Sequence, residues 1–142
     1  MYVSETSIRV RYGETDKMGY VYYGNYAMYY EVARVESLRQ LGLTYKSLEE
    51  KGVMMPVLEN HSKFIAPARY DDLLRIVTTL REKPGVRIRF EYEIFNEDEL
   101  LLHKGETLLV FIDMKTNRPC RPPREMEAVL EPYFSAANAK DT

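Results

Sequence analysis

A chain of 142 residues is the size of one ordinary domain, large enough to bury roughly two-thirds of the surface its unfolded form exposes. Apolar and charged fractions of 45% and 30% exclude a disordered chain, and a net charge of −2 argues against non-specific nucleic-acid binding, which draws on a strong basic excess. No apolar run approaches the ~20 residues of a membrane span, residues 1–10 carry no signal-peptide core, and the single Cys120 has no internal disulfide partner, so the expected compartment is the cytoplasm.

Taken in order, Ile8, Val10 and Tyr12 alternate with Arg9 and Arg11, the period of two of a half-buried strand. A polar loop carrying Glu14, Asp16 and Gly19 runs through Tyr20, Val21, Tyr22 and Tyr23 into a long helical pattern. Neither Gly nor Pro interrupts that pattern between Asn25 and Gly42, so Asn25 reads as its N-cap and Gly42 as its stop. Wound at about 3.6 residues per turn, Tyr26, Tyr30, Ala33, Ser37 and Leu41 share one stripe, while Glu31, Glu36, Arg39 and Gln40 fall elsewhere. The small Ala33 and Ser37 would let the helix lie close on what it covers.

Residues 44–51 predict a short helix capped at Thr44. Residues 53–65 read as extended, and Pro56 within them calls for an edge or a bulge. After a break at Pro67 and the pair Asp71 and Asp72, residues 73–80 resume as a strand. Pro84 and Gly85 signal a turn, beyond which Val86, Ile88, Phe90, Tyr92 and Ile94 alternate with Arg87, Arg89, Glu91 and Glu93. Residues 96–99 turn the chain back into a strand over 100–112, and residues 125–134 predict a terminal helix shortened by Pro132. Residues 135–142 form a polar tail, leaving 1–134 as a single domain. One long helix followed by strands joined through tight turns predicts an α+β layer, a curved antiparallel sheet wrapped around the central helix.

Several chemistries are absent from the sequence. It has no G-x-S-x-G elbow, no phosphate-binding G-x-x-x-x-G-K-[ST] loop and no G-x-G-x-x-G. His61 and His103 have no metal-type spacing to each other or to Cys120, and no metal or cofactor is expected. A lone histidine is more often structural or solvated than functional. Twelve tyrosines and no tryptophan suit a helix or interface of apolar rings with polar tips.

The stretch R-V-R-Y-G-E-T-D-K-M-G-Y-V-Y-Y-G-N-Y, residues 9–26, resembles the signature of the hotdog-fold acyl-CoA thioesterases, most closely the 4-hydroxybenzoyl-CoA thioesterase-like family. Glu14, Asp16, Gly19, Val21, Tyr22, Asn25 and Tyr26 fall on the positions of that pattern. The likeness continues through Ala33, Arg34, Leu38 and Gly42, and through Pro67, Ala68, Arg69 and Asp72. In the branch associated with the Tol-Pal system a histidine follows the Val-Tyr pair; here that position is Tyr23, as in the aromatic-substrate type.

The resemblance implies hydrolysis of a small or medium acyl-CoA, with Asp16 as nucleophile or general base at the thioester carbonyl. A carboxylate facing an apolar acyl pocket loses hydration and becomes a better base. The developing oxyanion needs donors, and the amides of Tyr23 and Gly24 at the helix start are the candidates. Gly19, Val21, Tyr22, Asn25 and Tyr26 are the candidate pocket residues. Left alone, Asp16 would equally suit a simple turn, Glu14 a loop-shaping salt link and Tyr23 plain packing. Glu31 and Glu36 read as ordinary helix charges.

Arg81, Lys83, Arg87 and Arg89 in one hairpin, or Lys115, Arg118, Arg121 and Arg124 in the last loop, could hold the nucleotide end of coenzyme A, against the blander reading of a solvated charged face. The open sheet edge and the resemblance imply a homo-oligomer, a dimer or dimer of dimers, with residues 60–67 of a neighbouring chain facing Asp16. Hydrolysis of acyl groups on acyl carrier protein and plain acyl-CoA binding without catalysis are the rival readings. No nucleic-acid partner is expected.

Overall fold

A computed structural model describes residues 1–135, so most of the polar tail, 136–142, lies outside the described residues. The strands β1 (Tyr2–Arg9), β4 (Leu73–Leu80), β5 (Arg87–Phe95), β6 (Leu101–Val110) and β3 (Val57–Phe64) form one antiparallel sheet in the order β1-β4-β5-β6-β3. A small second sheet joins β2 (Val53–Met54), β7 (Ile112–Asp113) and β8 (Arg118–Pro119). Among the described residues there are three α-helices: α1 (Asn25–Arg39), α2 (Tyr45–Glu50) and α3 (Arg124–Phe134).

The predicted alternation is what seats the sheet on α1. Leu74, Ile76, Thr78 and Leu80 of β4 and Ile88, Phe90, Tyr92 and Ile94 of β5 are buried, while their neighbours along each strand are not. Val86 precedes β5 and is exposed. Facing this layer are Tyr26, Tyr29, Tyr30, Ala33, Ser37 and Leu38 of α1, with Leu41 packed partly buried against the core. The Tyr30 ring stacks on Tyr92 at 4.3 Å and 2°, and the Tyr2 hydroxyl donates to the Ser37 carbonyl at 2.7 Å. Gly105 on β6 makes this approach possible, because a Cβ there would collide with the Tyr30 hydroxyl.

Helix punctuation follows the sequence at one end and departs from it at the other. Gly42, at φ +84°, closes α1 with its N–H on the Arg39 carbonyl (2.9 Å) and the Leu43 N–H on Leu38 (3.0 Å), a Schellman arrangement. At the start the N-cap is Gly24, not Asn25: Asn25 is already helical, and its amide is drawn away to the Glu14 carbonyl at 2.8 Å. Thr44 caps α2 as expected, accepting from the Ser47 N–H at 3.0 Å. Pro132 does not shorten α3, which runs on to Phe134; near a C-terminus a missing N–H removes only one hydrogen bond of the ladder. Pro56 separates β2 from β3, and β3 lies at the sheet edge with a register shift between Val57 and Glu59.

Candidate active site

After β1 the chain makes a single 3₁₀ turn, Tyr12–Glu14, and then a tight turn at Asp16. The Asp16 N–H donates to the Tyr20 carbonyl at 2.8 Å and its carbonyl accepts from Gly19 N–H at 3.0 Å. Gly19 sits at φ +80°, the left-handed region that a side chain resists. Within this turn Asp16 Oδ1 accepts from the Met18 N–H (2.9 Å) and the Tyr20 N–H (3.2 Å). The other carboxylate oxygen, Oδ2, has no hydrogen-bond partner among the described residues. The turn role expected of Asp16 thus engages one oxygen and leaves the other unengaged.

At the start of α1 the Asn25 N–H is taken by the Tyr22 carbonyl (2.9 Å) and the Tyr26 N–H by Tyr23 (3.3 Å). The N–H groups of Tyr23 and Gly24 have no partner among the described residues. Unpartnered donors at a helix N-terminus carry its partial positive charge.

A cavity of about 320 Å³ opens between these two features. It is lined by Asp16, Val21, Tyr23 and Tyr26, and by residues that were not among the pocket candidates: Met18, Tyr20 and the run Phe64, Ile65, Ala66 and Pro67. Four sequence candidates lie outside the lining, one of them Gly24, the N-cap of α1. Gly19 serves the turn, Asn25 spends its side chain on the Glu14 carbonyl, and the exposed Tyr22 ring packs on Tyr23 at 4.6 Å. The sequence did carry one signal for the missed wall, since residues 60–67 were expected to face Asp16 from a neighbouring chain. Here the chain's own Phe64 to Pro67 segment reaches the cavity.

Behind the cavity wall stands an aromatic stack. The Tyr26 ring lies on His103 at 4.0 Å and 4° and meets Phe64 edge-on at 5.4 Å. His103 is fully buried, its Nε2 hydrogen-bonded to the Tyr30 hydroxyl, which also meets Ser62 Oγ at 2.7 Å. Burial among rings pushes its pKa down to about 4, so it is a neutral structural imidazole at neutral pH. His61 is exposed beside Glu59 on β3, and neither histidine lines the cavity.

Four of the eight basic candidates for the nucleotide end form surface pairs. Arg81 meets Glu91 at 2.9 Å, Lys83 meets Glu131 at 2.7 Å, Arg89 meets Glu106 at 3.2 Å and Arg121 meets Glu127 at 3.5 Å. Glu36 pairs with Arg39 at 3.1 Å, as an ordinary helix charge would. A larger hollow of about 460 Å³ sits over β3, β5 and β6 among Lys63, Lys104, Glu91, Glu93 and Glu106, and contains no residue of the Asp16 loop.

Residues 10–130 match the model of a family described as the thioesterase-like superfamily. The acyl-CoA thioester hydrolase YbgC of Escherichia coli O157:H7 is 34% identical over 121 residues, 85% of this chain and 90% of that protein. The acyl-CoA thioesterase YbgC of Haemophilus influenzae is 33% identical over 124 residues, 87% of this chain and 90% of that one. Among solved structures, the DHNA-CoA thioesterase of Staphylococcus aureus superposes with a TM-score of 0.81 at 36% identity, covering 94% of this chain and 85% of that chain.

Proposed function

The chain belongs to the thioesterase-like superfamily, and from that premise we propose that Asp16 is the acting carboxylate of its acyl-CoA thioester hydrolysis. The enzyme is a hotdog-fold acyl-CoA thioesterase, releasing a free acid and coenzyme A. One observation carries the role of Asp16: its unengaged Oδ2 belongs to a residue lining an apolar-walled cavity beside a helix start whose Tyr23 and Gly24 amides lack partners.

The division of labour follows from that geometry. The acyl group occupies the cavity among Val21, Tyr23, Tyr26 and Phe64, and its volume, near the low end for ligand pockets, suits a small or medium acyl chain. The Tyr23 and Gly24 amides stabilise the oxyanion as the carbonyl becomes tetrahedral, a contribution of about 3 kcal/mol per donor in comparable sites. Asp16 Oδ2 supplies the electron pair, to the carbonyl carbon as nucleophile or to a water proton as base. Label in the Asp16 carboxyl after single turnover in ¹⁸O-water would establish direct attack, with the thiolate of coenzyme A expelled and water opening the resulting mixed anhydride at the Asp16 carbon. No histidine takes part, in keeping with Tyr23 where the Tol-Pal branch has one.

Thiol release from a panel of aliphatic and aromatic acyl-CoAs tests the assignment. Turnover of at least one member, abolished in Asp16→Asn, is expected; an Asp16→Asn enzyme at full rate would sink the role of Asp16. The working form is a homo-oligomer. Every residue of the edge strand β3 is exposed in the single chain, and Val57, Leu58, Phe64 and Ile65 put apolar surface there next to the cavity. A second copy of β3 would continue the sheet and roof the site, and pairing of dimers would give the tetramer.

A further inference from the structure

We propose that Glu14 is the positioning residue of this site, locking the Asp16 loop to the first turns of α1 and so setting the spacing between the acting carboxylate and the helix-end amides. The inference rests on the role given to Asp16 above and adds a residue that does not line the cavity.

Glu14 is only 7% exposed, and its carboxylate is saturated. Oε1 accepts from the Arg11 N–H at 2.9 Å and the Tyr29 hydroxyl at 3.0 Å. Oε2 accepts from Arg11 Nε at 3.2 Å and Nη2 at 3.1 Å. Its backbone carbonyl accepts twice more, from the Tyr22 N–H at 2.9 Å and from Asn25 Nδ2 at 2.8 Å. Arg11 lies just beyond β1, Tyr22 on the approach to α1, Asn25 at its first residue and Tyr29 one turn further on. A single side chain and its own carbonyl therefore hold both halves of the site, with Asp16 two residues along.

Burial alone would raise the Glu14 pKa, but the Arg11 amide, the Tyr29 hydroxyl and the Arg11 guanidinium outweigh it and hold the carboxyl below the usual range. The group is thus ionised at neutral pH and able to accept every one of these bonds. With no free lone pair directed at substrate, it does not act on the thioester itself. Its effect is geometric, and misplacing a reacting group by about 1 Å can cost on the order of 10²-fold in rate.

Two variants test this, Glu14→Gln and Tyr29→Phe, the second removing one hydroxyl while keeping the ring. Each should lower kcat by about 10-fold or more with KM changed less than about threefold, at a temperature where circular dichroism shows the protein folded. The double variant should be little worse than Glu14→Gln alone, because both changes cut the same link. Should Glu14→Gln fail to fold, Tyr29→Phe decides by itself. Full kcat in either folded variant, or a loss confined to KM or to the folded fraction, overturns the positioning role provided Asp16→Asn is inactive. Full activity in Asp16→Asn would instead overturn the underlying site.

Discussion

Only one of the two oxygens of Asp16 is engaged in the turn, and that split makes the Asn substitution informative. Asn keeps the Oδ1-type acceptor that holds the Met18 and Tyr20 amides, so the turn should survive. It replaces Oδ2 with a donor, so kcat should fall by about 10²–10⁴ while thermal stability hardly moves, as activity and melting curves on one preparation will show. His103 gives a stability prediction of a different kind. Its folded pKa of about 4 lies below the ordinary 6.5, so the unfolded chain binds a proton that the folded one refuses. Stability should therefore fall as pH drops from about 6.5 towards 4, by up to about 3 kcal/mol, and this contribution levels off below that. The rings of Tyr26, Tyr30 and Phe64 pack against it and bring no charge. Urea melts of wild type and His103→Phe across this range check it: the variant should lack that part of the slope. At this scale the Asp16 turn was legible because its motif is local. The burial of His103 was not, since nothing around residue 103 announces which rings will close over it.

Among the elements, α1 carries the site and its placement depends on one bare position in the sheet. Gly105→Ala should destabilise the protein by about 1–3 kcal/mol in urea unfolding, because the new methyl meets the Tyr30 hydroxyl and the helix has to shift. A shift of α1 also moves the Tyr23 and Gly24 amides, so kcat should fall further than the folded fraction does. β5 was legible from its period of two, and β4 spans the residues expected of it. The first strand, expected through Ile8, Val10 and Tyr12, runs instead over Tyr2–Arg9, because the chain leaves the sheet after Arg9 and Tyr12 opens the 3₁₀ turn. The two-residue β8 was not legible, and β2 and β7 were not told apart from the longer runs read over 53–65 and 100–112, because a segment that short has no periodicity to read. The Asn25 cap was misread for a related reason: its residue type favours capping, but the Glu14 carbonyl, eleven residues back, competes for its amide.

For the whole molecule, the consequence lies in the exposed edge. Light scattering should give a dimer or larger species, and Leu58→Glu, which puts a charge on β3 where Leu58 is 48% exposed, should shift it towards monomer. Activity should fall with the oligomer, since β3 ends at Phe64, part of the cavity wall. A monomeric wild type with full activity would remove the second chain from the account. No helix among the described residues is long and apolar enough to cross a membrane.

By itself the sequence determined the α+β class, the long central helix, most strands and the loop that carries the proposed carboxylate, Asp16. Each of these is written in spacing along the chain: a period of two, a period of 3.6, or a motif of contiguous residues. Only the tertiary structure decided that Phe64 to Pro67 close the cavity, that Glu14 ties the loop to Tyr29, and that His103 sits neutral behind Tyr26. Those contacts join residues far apart in the chain, and they depend on strand register and on where α1 crosses the sheet. Local periodicity says which way a side chain faces, but not which distant side chain it will meet.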